Sequence, residues 1–254
     1  MKLTPSNETV NPIGTVAPLG NVALFSELID RVMRRSPGLP GMATFHGPSG
    51  YGKSRSAIWG ANKYRAYYVQ VKSLWTRKAL CQAILREMGV VRTNGTLSTL
   101  LEQIAELLAT SRRPLIIDEA DYLCTNSMIE VVRDFYESSD APVILIGEEG
   151  LPTKLRAWER VHGRMLDWVA AQPASLDDAR TLTRYYAGGI DVADDLLLAL
   201  HAASSGSTRR VCVNLDRVRE AALTIDKTSI DLAQWQAIGS DFFTGVAPGV
   251  RRSA

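Results

Sequence analysis

The chain has 254 residues, 46% of them hydrophobic and 22% charged, with a net charge of +2. That is material for one large or two modest domains with a proper core, in the composition range of soluble globular proteins. The near balance of charge excludes a uniformly basic nucleic-acid binder, so any such contact must use a local basic surface or several subunits.

Residues 1–20 are polar, proline-dotted and without periodicity, and are expected to form a flexible arm. Leu24, Phe25, Leu28, Ile29, Val32 and Met33 recur at helical spacing until Ser36-Pro37-Gly38 stops them. Next, Met42-Ala43-Thr44-Phe45 reads as a strand, followed by Gly47-Pro48-Ser49-Gly50-Tyr51-Gly52-Lys53-Ser54 and a helix opening at Arg55. The octapeptide fits G-x-x-x-x-G-K-[ST] in the strand-to-helix setting that a phosphate-binding loop requires. Its glycines let successive backbone N–H groups converge on a phosphate at the positive end of a helix. Lys53 is placed to reach the β- and γ-phosphates, and the Ser54 hydroxyl to take Mg²⁺.

A second strand is expected over Ala66–Val71, then a helix led by Leu80, Ile84, Leu85 and Met88 that ends at Gly89. Another helix carries Leu97, Leu100, Leu101, Ile104, Leu107 and Leu108 on one face. The apolar strand Pro114-Leu115-Ile116-Ile117 then ends in Asp118-Glu119, ahead of a helix near Met128–Tyr136 and the strand Val143–Ile146. Alternating strands and helices imply right-handed βαβ units and a parallel sheet covered on both faces. Asp118 would stand at the carboxyl edge of that sheet, where it can organise Mg²⁺; Glu119 beside it can polarise an attacking water.

After about Pro173 helical patterns dominate. Ser175-Leu176-Asp177-Asp178 opens them as a capping-box-like start, and Asp191–Ser204, Thr208–Leu223 and Ile230–Ile238 continue them. The expected division is an arm over 1–20, a nucleotide-binding α/β domain over 21–173, a small all-helical lid over 174–240 and a loose tail over 241–254. Cys81, Cys124 and Cys212 are widely spaced and form no C-x-x-C pair, which suits buried thiols in a reducing cytoplasm. No apolar run reaches membrane-spanning length and no signal-peptide pattern opens the chain, so a cytoplasmic protein is expected.

The loop Gly47–Ser54, the run Ile117-Asp118-Glu119-Ala120-Asp121 and the helical C-terminal part together resemble AAA+ ATPases, that is, P-loop NTPases with a helical lid. More closely, the chain resembles the target-selection ATPases of transposons, the family of the B transposition protein of Mu-like bacteriophages. Gly41–Ser54, Pro114–Asp121, Val143–Glu149, Gly206-Ser207-Thr208-Arg209-Arg210 and Phe242–Pro248 carry that resemblance. It implies ATP and Mg²⁺ as cofactors, assembly into a homo-oligomeric ring or helical filament on double-stranded DNA, and a transposase partner in the bacterial host cytoplasm. It also implies roles. Gly147-Glu148 stands where the family carries a polar sensor, usually Asn, Ser or Thr. Arg164, with Arg160 and Arg156 behind it, would reach a neighbour's γ-phosphate, and Arg209, with Arg210 as alternative, would touch the γ-phosphate from the lid.

DNA contacts are expected on the loops after the second strand and its helix, at Lys72, Arg77 and Lys78 and at Arg92 with Thr93 and Asn94. Such residues would hold phosphates with little sequence preference; each reads equally as a solvated surface charge. Trp75 could stack on a base or pack half-buried. The founding phage protein has an N-terminal DNA-binding domain for which a first helix near Asn21 leaves no room, so DNA is expected at the ATPase part, the arm or the tail. A replication initiator or helicase loader shares the same core and lid and is the alternative reading.

Overall fold

The computed structural model describes residues 17–124 and 127–246. The first sixteen residues of the expected arm and the tail from residue 247 onward, with Pro248, Arg251 and Arg252, lie outside the described residues.

Five strands form one parallel sheet: β1 (Met42–His46), β2 (Tyr67–Gln70), β3 (Leu115–Asp118), β4 (Val143–Gly147) and β5 (Met165–Ala170), in the order β2-β3-β4-β1-β5. Helices α1 (Gly20–Met33) and α2 (Lys53–Tyr64) cover one face; α3 (Arg77–Glu87), α4 (Leu97–Ser111) and α5 (Met128–Ser139) cover the other. Burial on both faces explains why the central strands read as unbroken apolar runs. Strand alternation then divides each run. Leu115, Ile117, Val143 and Leu145 pack toward α3–α5, whereas Phe45, Ile116, Ile144 and Ile146 pack toward α1 and α2. Thr76 and Thr96 cap α3 and α4 by accepting the Ala79 and Thr99 N–H groups.

Strand β5 has no counterpart among the elements expected from the sequence. It is an edge strand of intermediate burial with Asp167 in its middle, so it lacks the continuous apolar run that marks β3 and β4. Two short helices, α6 (Leu151–Arg156) and α7 (Glu159–His162), lead into it.

The C-terminal part packs α8 (Leu176–Tyr186), α9 (Asp194–Ser204), α10 (Thr208–Thr224) and α11 (Leu232–Ala237) around Leu182, Leu200, Val211 and Leu215. The capping box at its start forms as expected, with Asp178 accepting from the Ser175 N–H and Ser175 from that of Asp178. The patterns read as helical from Asp191 and from Ile230 begin differently. Asp191–Val192 (β6) and Ser229–Ile230 (β7) form a two-residue parallel ladder that sets the starts of α9 and α11 side by side. The expected loose tail is docked over its first residues: Phe242 stacks on Trp235 with ring centroids 5.2 Å apart. The Asn214 amide donates to the Phe243 carbonyl at 3.1 Å and accepts from its N–H at 2.7 Å. At the other end Ala17 is buried in the lid core, with Leu19 packed against it.

The contact of α1 with α2 depends on Gly60, where a Cβ would stand 2.7 Å from Phe25 Cε1 and 2.8 Å from Ile29 Cδ1. Gly60→Val is expected to cost about 1–3 kcal/mol by overpacking. Urea unfolding checks this: the midpoint should fall while the slope stays unchanged.

Candidate nucleotide site

The loop between β1 and α2 is built so that its carbonyls are held from outside. Lys53 Nζ donates to the carbonyls of Gly47 and Pro48 at 2.5 and 2.8 Å. The Arg209 N–H donates to Gly50 O at 3.0 Å, and the Asn21 amide to Tyr51 O at 2.8 Å. Gly52 O accepts from the Ser56 N–H, the first full turn of α2. Gly47, Gly50 and Gly52 have φ of 151°, 87° and 83°, a region that favours glycine, and a Cβ on Gly50 would strike Ser207 Oγ. Gly52 also occupies the N-cap of α2 without offering a side chain to cap it, so the first N–H groups of that helix need an outside acceptor.

That loop forms one wall of a cavity of about 420 Å³. Ser49, Lys53 and Ser54 line it from the loop side, Asp118 and Glu119 from the end of β3, Glu148 from the end of β4, and Arg209 from the lid. A glycine-lined backbone cradle, an ammonium, a hydroxyl and a buried carboxylate facing one space fit a magnesium-bound triphosphate. Asp118 is 2% exposed. Its Oδ2 accepts from the Tyr68 hydroxyl at 2.8 Å and its Oδ1 from the Glu119 N–H at 2.9 Å. Glu119 adopts φ 57°, turning the chain sharply so that two successive acids line the same cavity.

Charge in this space is unevenly distributed. Burial pushes the Glu119 carboxyl above the ordinary glutamate range, and Asp118, Asp121 and Glu148 add to that while Lys53 opposes it. Burial lowers the Lys53 ammonium, with the same acids pulling the other way. His46, at the end of β1, is lowered by burial and then by Lys53. The Tyr68 phenol is held high by burial and by Asp118, so it stays a donor.

The structure also explains the glycine at the end of β4. A Cβ on Gly147 would collide with the Asp121 carboxylate and with Leu151. That carboxylate accepts from the Glu148 N–H at 2.6 Å and pairs with Lys154 at 2.7 Å. An Asn, Ser or Thr at position 147 has no space here, and the polar residue facing the cavity is Glu148.

The other expected site residues lie elsewhere. Arg164 sits at the opposite end of β1, its carbonyl accepting from the Met42 N–H and its guanidinium paired with Glu137 at 2.7 Å. Arg156 and Arg160 are exposed on α6 and α7. Arg210 turns from the cavity toward Gly245. Lys72 follows β2, Arg77 and Lys78 open α3, and Arg92 with Thr93 lies between α3 and α4; all but Thr93 are exposed. The Gln82 amide donates to Thr93 O at 2.9 Å, so this connection runs back beside α3. Trp75 takes the packing role, half-buried against the core. Cys81 is buried; Cys124 and Cys212 are half-buried, Cys212 on the cavity wall.

Sequence reasoning missed Tyr68 and Asn21. Asn21 joins three segments: besides Tyr51 O, its amide donates to Gln172 O at 2.8 Å, and its Oδ1 accepts from the Gln172 N–H at 2.8 Å. A lone Asn at a helix start reads as a cap, and only the fold shows its distant partners.

A parallel sheet flanked by helices, a glycine loop after its β1 strand and an acid-ended β3 define the P-loop AAA+ fold. Residues 36–155 match the family model described as an AAA domain. No curated protein matches the chain. Among solved structures it is similar to the Orc1 protein of Aeropyrum pernix in complex with DNA, at 18% identity and TM-score 0.60, covering 85% of this chain and 63% of that one. Cdc6p from Pyrobaculum aerophilum gives 18%, TM-score 0.62, and coverage of 85% and 66%. The RuvB Holliday junction branch migration motor of Thermotoga maritima gives 18%, TM-score 0.58, and coverage of 90% and 72%. The chain thus spans just under two thirds of the length of the first two. Among the described residues no helix is long and apolar enough to cross a membrane.

Asn21→Ala removes the partner of part-buried backbone groups at Tyr51 and Gln172. It is expected to lower stability by about 1–3 kcal/mol and to speed hydrogen exchange at residue 172. Thermal unfolding and exchange mass spectrometry would check both.

Proposed function

We propose that the protein is a magnesium-dependent ATPase that assembles on double-stranded DNA as a homo-oligomer and, in ATP-bound form, presents that DNA to a transposase. The observation that carries the ATPase part is the single cavity shared by the phosphate loop, Asp118, Glu119 and Arg209. In this reading the loop N–H groups and Lys53 hold the phosphates, Ser54 and Asp118 hold Mg²⁺ directly or through water, and Glu119 takes a proton from the attacking water. The bound cation would screen phosphate charge and orient the terminal phosphate. Arg209 would sense the γ-phosphate from the lid, its planar fork suited to two oxygens.

Arg164 would act on a neighbour's nucleotide. The length of β1 separates it from the loop, about 16 Å at strand rise, so it cannot serve its own cavity. This separation supports an assembly in which nucleotide lies between subunits. Basic Lys72, Arg77, Lys78 and Arg92, with Thr93, would track DNA phosphates, and a cytoplasmic setting suits such a task. The structural neighbours favour keeping a second reading, a replication initiator or helicase loader, since one of them was solved in complex with DNA.

Electron microscopy with duplex DNA and a non-hydrolysable ATP analogue tests the assembly. Helical filaments are expected for the wild type and bare DNA for Lys53→Ala; closed rings would favour the loader, and equal DNA association without nucleotide would overturn both readings. Glu119→Gln is expected to keep ATP affinity and to slow hydrolysis on the order of 100-fold or more. Because the Glu119 pKa is raised, the wild-type rate should fall on acidification at a pH above the ordinary glutamate range, and the Gln variant should lose that limb. Steady-state rates across pH would measure it.

A further inference from the structure

Tyr68 has no part in the reading above, yet its hydroxyl is bonded to the carboxylate on which that reading depends. Tyr68 pairs in register with Ile116, and Gln70 with Asp118. Tyr68 therefore lies two residues back from Asp118 on the neighbouring strand and on the same face of the sheet. Such a diagonal is within reach of a long aromatic side chain leaning along the strand. Its ring packs against the α1 and α2 side of the core, which a phenylalanine could do as well. What the hydroxyl adds is the 2.8 Å bond to Asp118 Oδ2.

With the Glu119 N–H on Oδ1 at 2.9 Å, each carboxylate oxygen carries one donor. Two donors on opposite oxygens fix the carboxylate plane and leave the second lone pair of each oxygen free. The backbone repeats the tie, because Asp118 O accepts from the Val71 N–H at 2.9 Å. Both the side chain and the main chain of the acid are thus bonded to β2 and the residue that follows it. Mg²⁺ demands near-ideal octahedral geometry, so it is sensitive to the orientation of a carboxylate that holds it or its waters.

From this geometry we infer that Tyr68 is a positioning residue for divalent-cation binding, holding Asp118 in the orientation that Mg²⁺ requires. The inference rests on the proposed magnesium-nucleotide site and adds to it a residue outside the phosphate loop and the acidic strand end.

The test is binding rather than turnover. A fluorescent ATP analogue is titrated into the protein in excess chelator and across a Mg²⁺ series. Tyr68→Phe is expected to raise the Mg²⁺ concentration for half-maximal tightening about tenfold, while affinity in chelator stays within about twofold of wild type. Tyr68→Met, which fills the space without a donor, should behave alike. The readout compares one sample with and without metal, so a partly unfolded variant still answers. In an Asp118→Ala background Tyr68→Phe should add no further loss, because the hydroxyl acts only through that carboxylate. An unchanged Mg²⁺ dependence overturns the inference, as does an equal loss with and without metal or a full effect in the Asp118→Ala background. A wild type that binds no nucleotide overturns the proposed function itself, which is a separate and visible outcome.

Discussion

The structure turns on how the carbonyl groups of one short loop are held. A backbone carbonyl needs a donor and an N–H an acceptor, and a buried group of either kind must be satisfied. Here the carbonyls of Gly47 and Pro48 take Lys53, that of Gly50 takes the lid backbone at Arg209, and that of Tyr51 takes Asn21. With these oxygens engaged, the first N–H groups of α2, left uncapped by Gly52, still need acceptors, which an anion could supply. A loop of the same sequence without the lid and without α1 would lose two of these four anchors. The C-terminal helices therefore take part in holding the loop, touching its backbone at Gly50 through the Arg209 N–H. In the proposed reading the Lys53 ammonium would exchange its two carbonyls for phosphate oxygens.

A second constraint follows from parallel register. In the ladder His46 pairs with Gly147 and Gln70 with Asp118, so the carboxyl ends of β1, β2, β3 and β4 arrive at one edge. That edge collects Asp118, Glu119, Asp121 and Glu148 against Lys53 and Lys154. Across the cavity from these acids stand Arg55 and Arg209, so charges of both signs line it. Burial first, and the neighbouring acids after it, keep Glu119 easier to protonate than an exposed glutamate. Gly147 completes the edge by leaving room for Asp121, which would otherwise lose its bond to the Glu148 N–H.

Much of this was legible in the chain because it depends on local pattern. The loop carries its own signature, and β3 and β4 are apolar runs that only burial on both faces explains. The helices α1, α3 and α4 show their buried stripes at helical spacing. What escaped depends on partners distant in sequence. β5 is half-exposed and interrupted by Asp167, so nothing local separates it from a loop. The β6–β7 ladder needs residues 191 and 229 to meet, and Phe242 reads as tail until Trp235 is seen beneath it. Tyr68 looked like one more aromatic in a strand, because its role requires the register between β2 and β3.

The distance between Arg164 and the cavity has a consequence for how nucleotide could control assembly. The arginine lies where β1 begins and the phosphates would lie where β1 ends, with a rigid, fully paired central strand between them. No lid movement shortens that separation, because both points belong to the same sheet. In the proposed reading a subunit alone would hold a cation with no phosphate to bind and a phosphate site lacking that cation. In the single chain Glu137 occupies the guanidinium instead, through an exposed pair. Exposed pairs of this kind contribute about 0–1 kcal/mol, so exchanging Glu137 for a neighbour's phosphate would cost little. The trade would favour contact between copies only while a terminal phosphate is present, which is the property that a nucleotide-timed assembly on DNA requires.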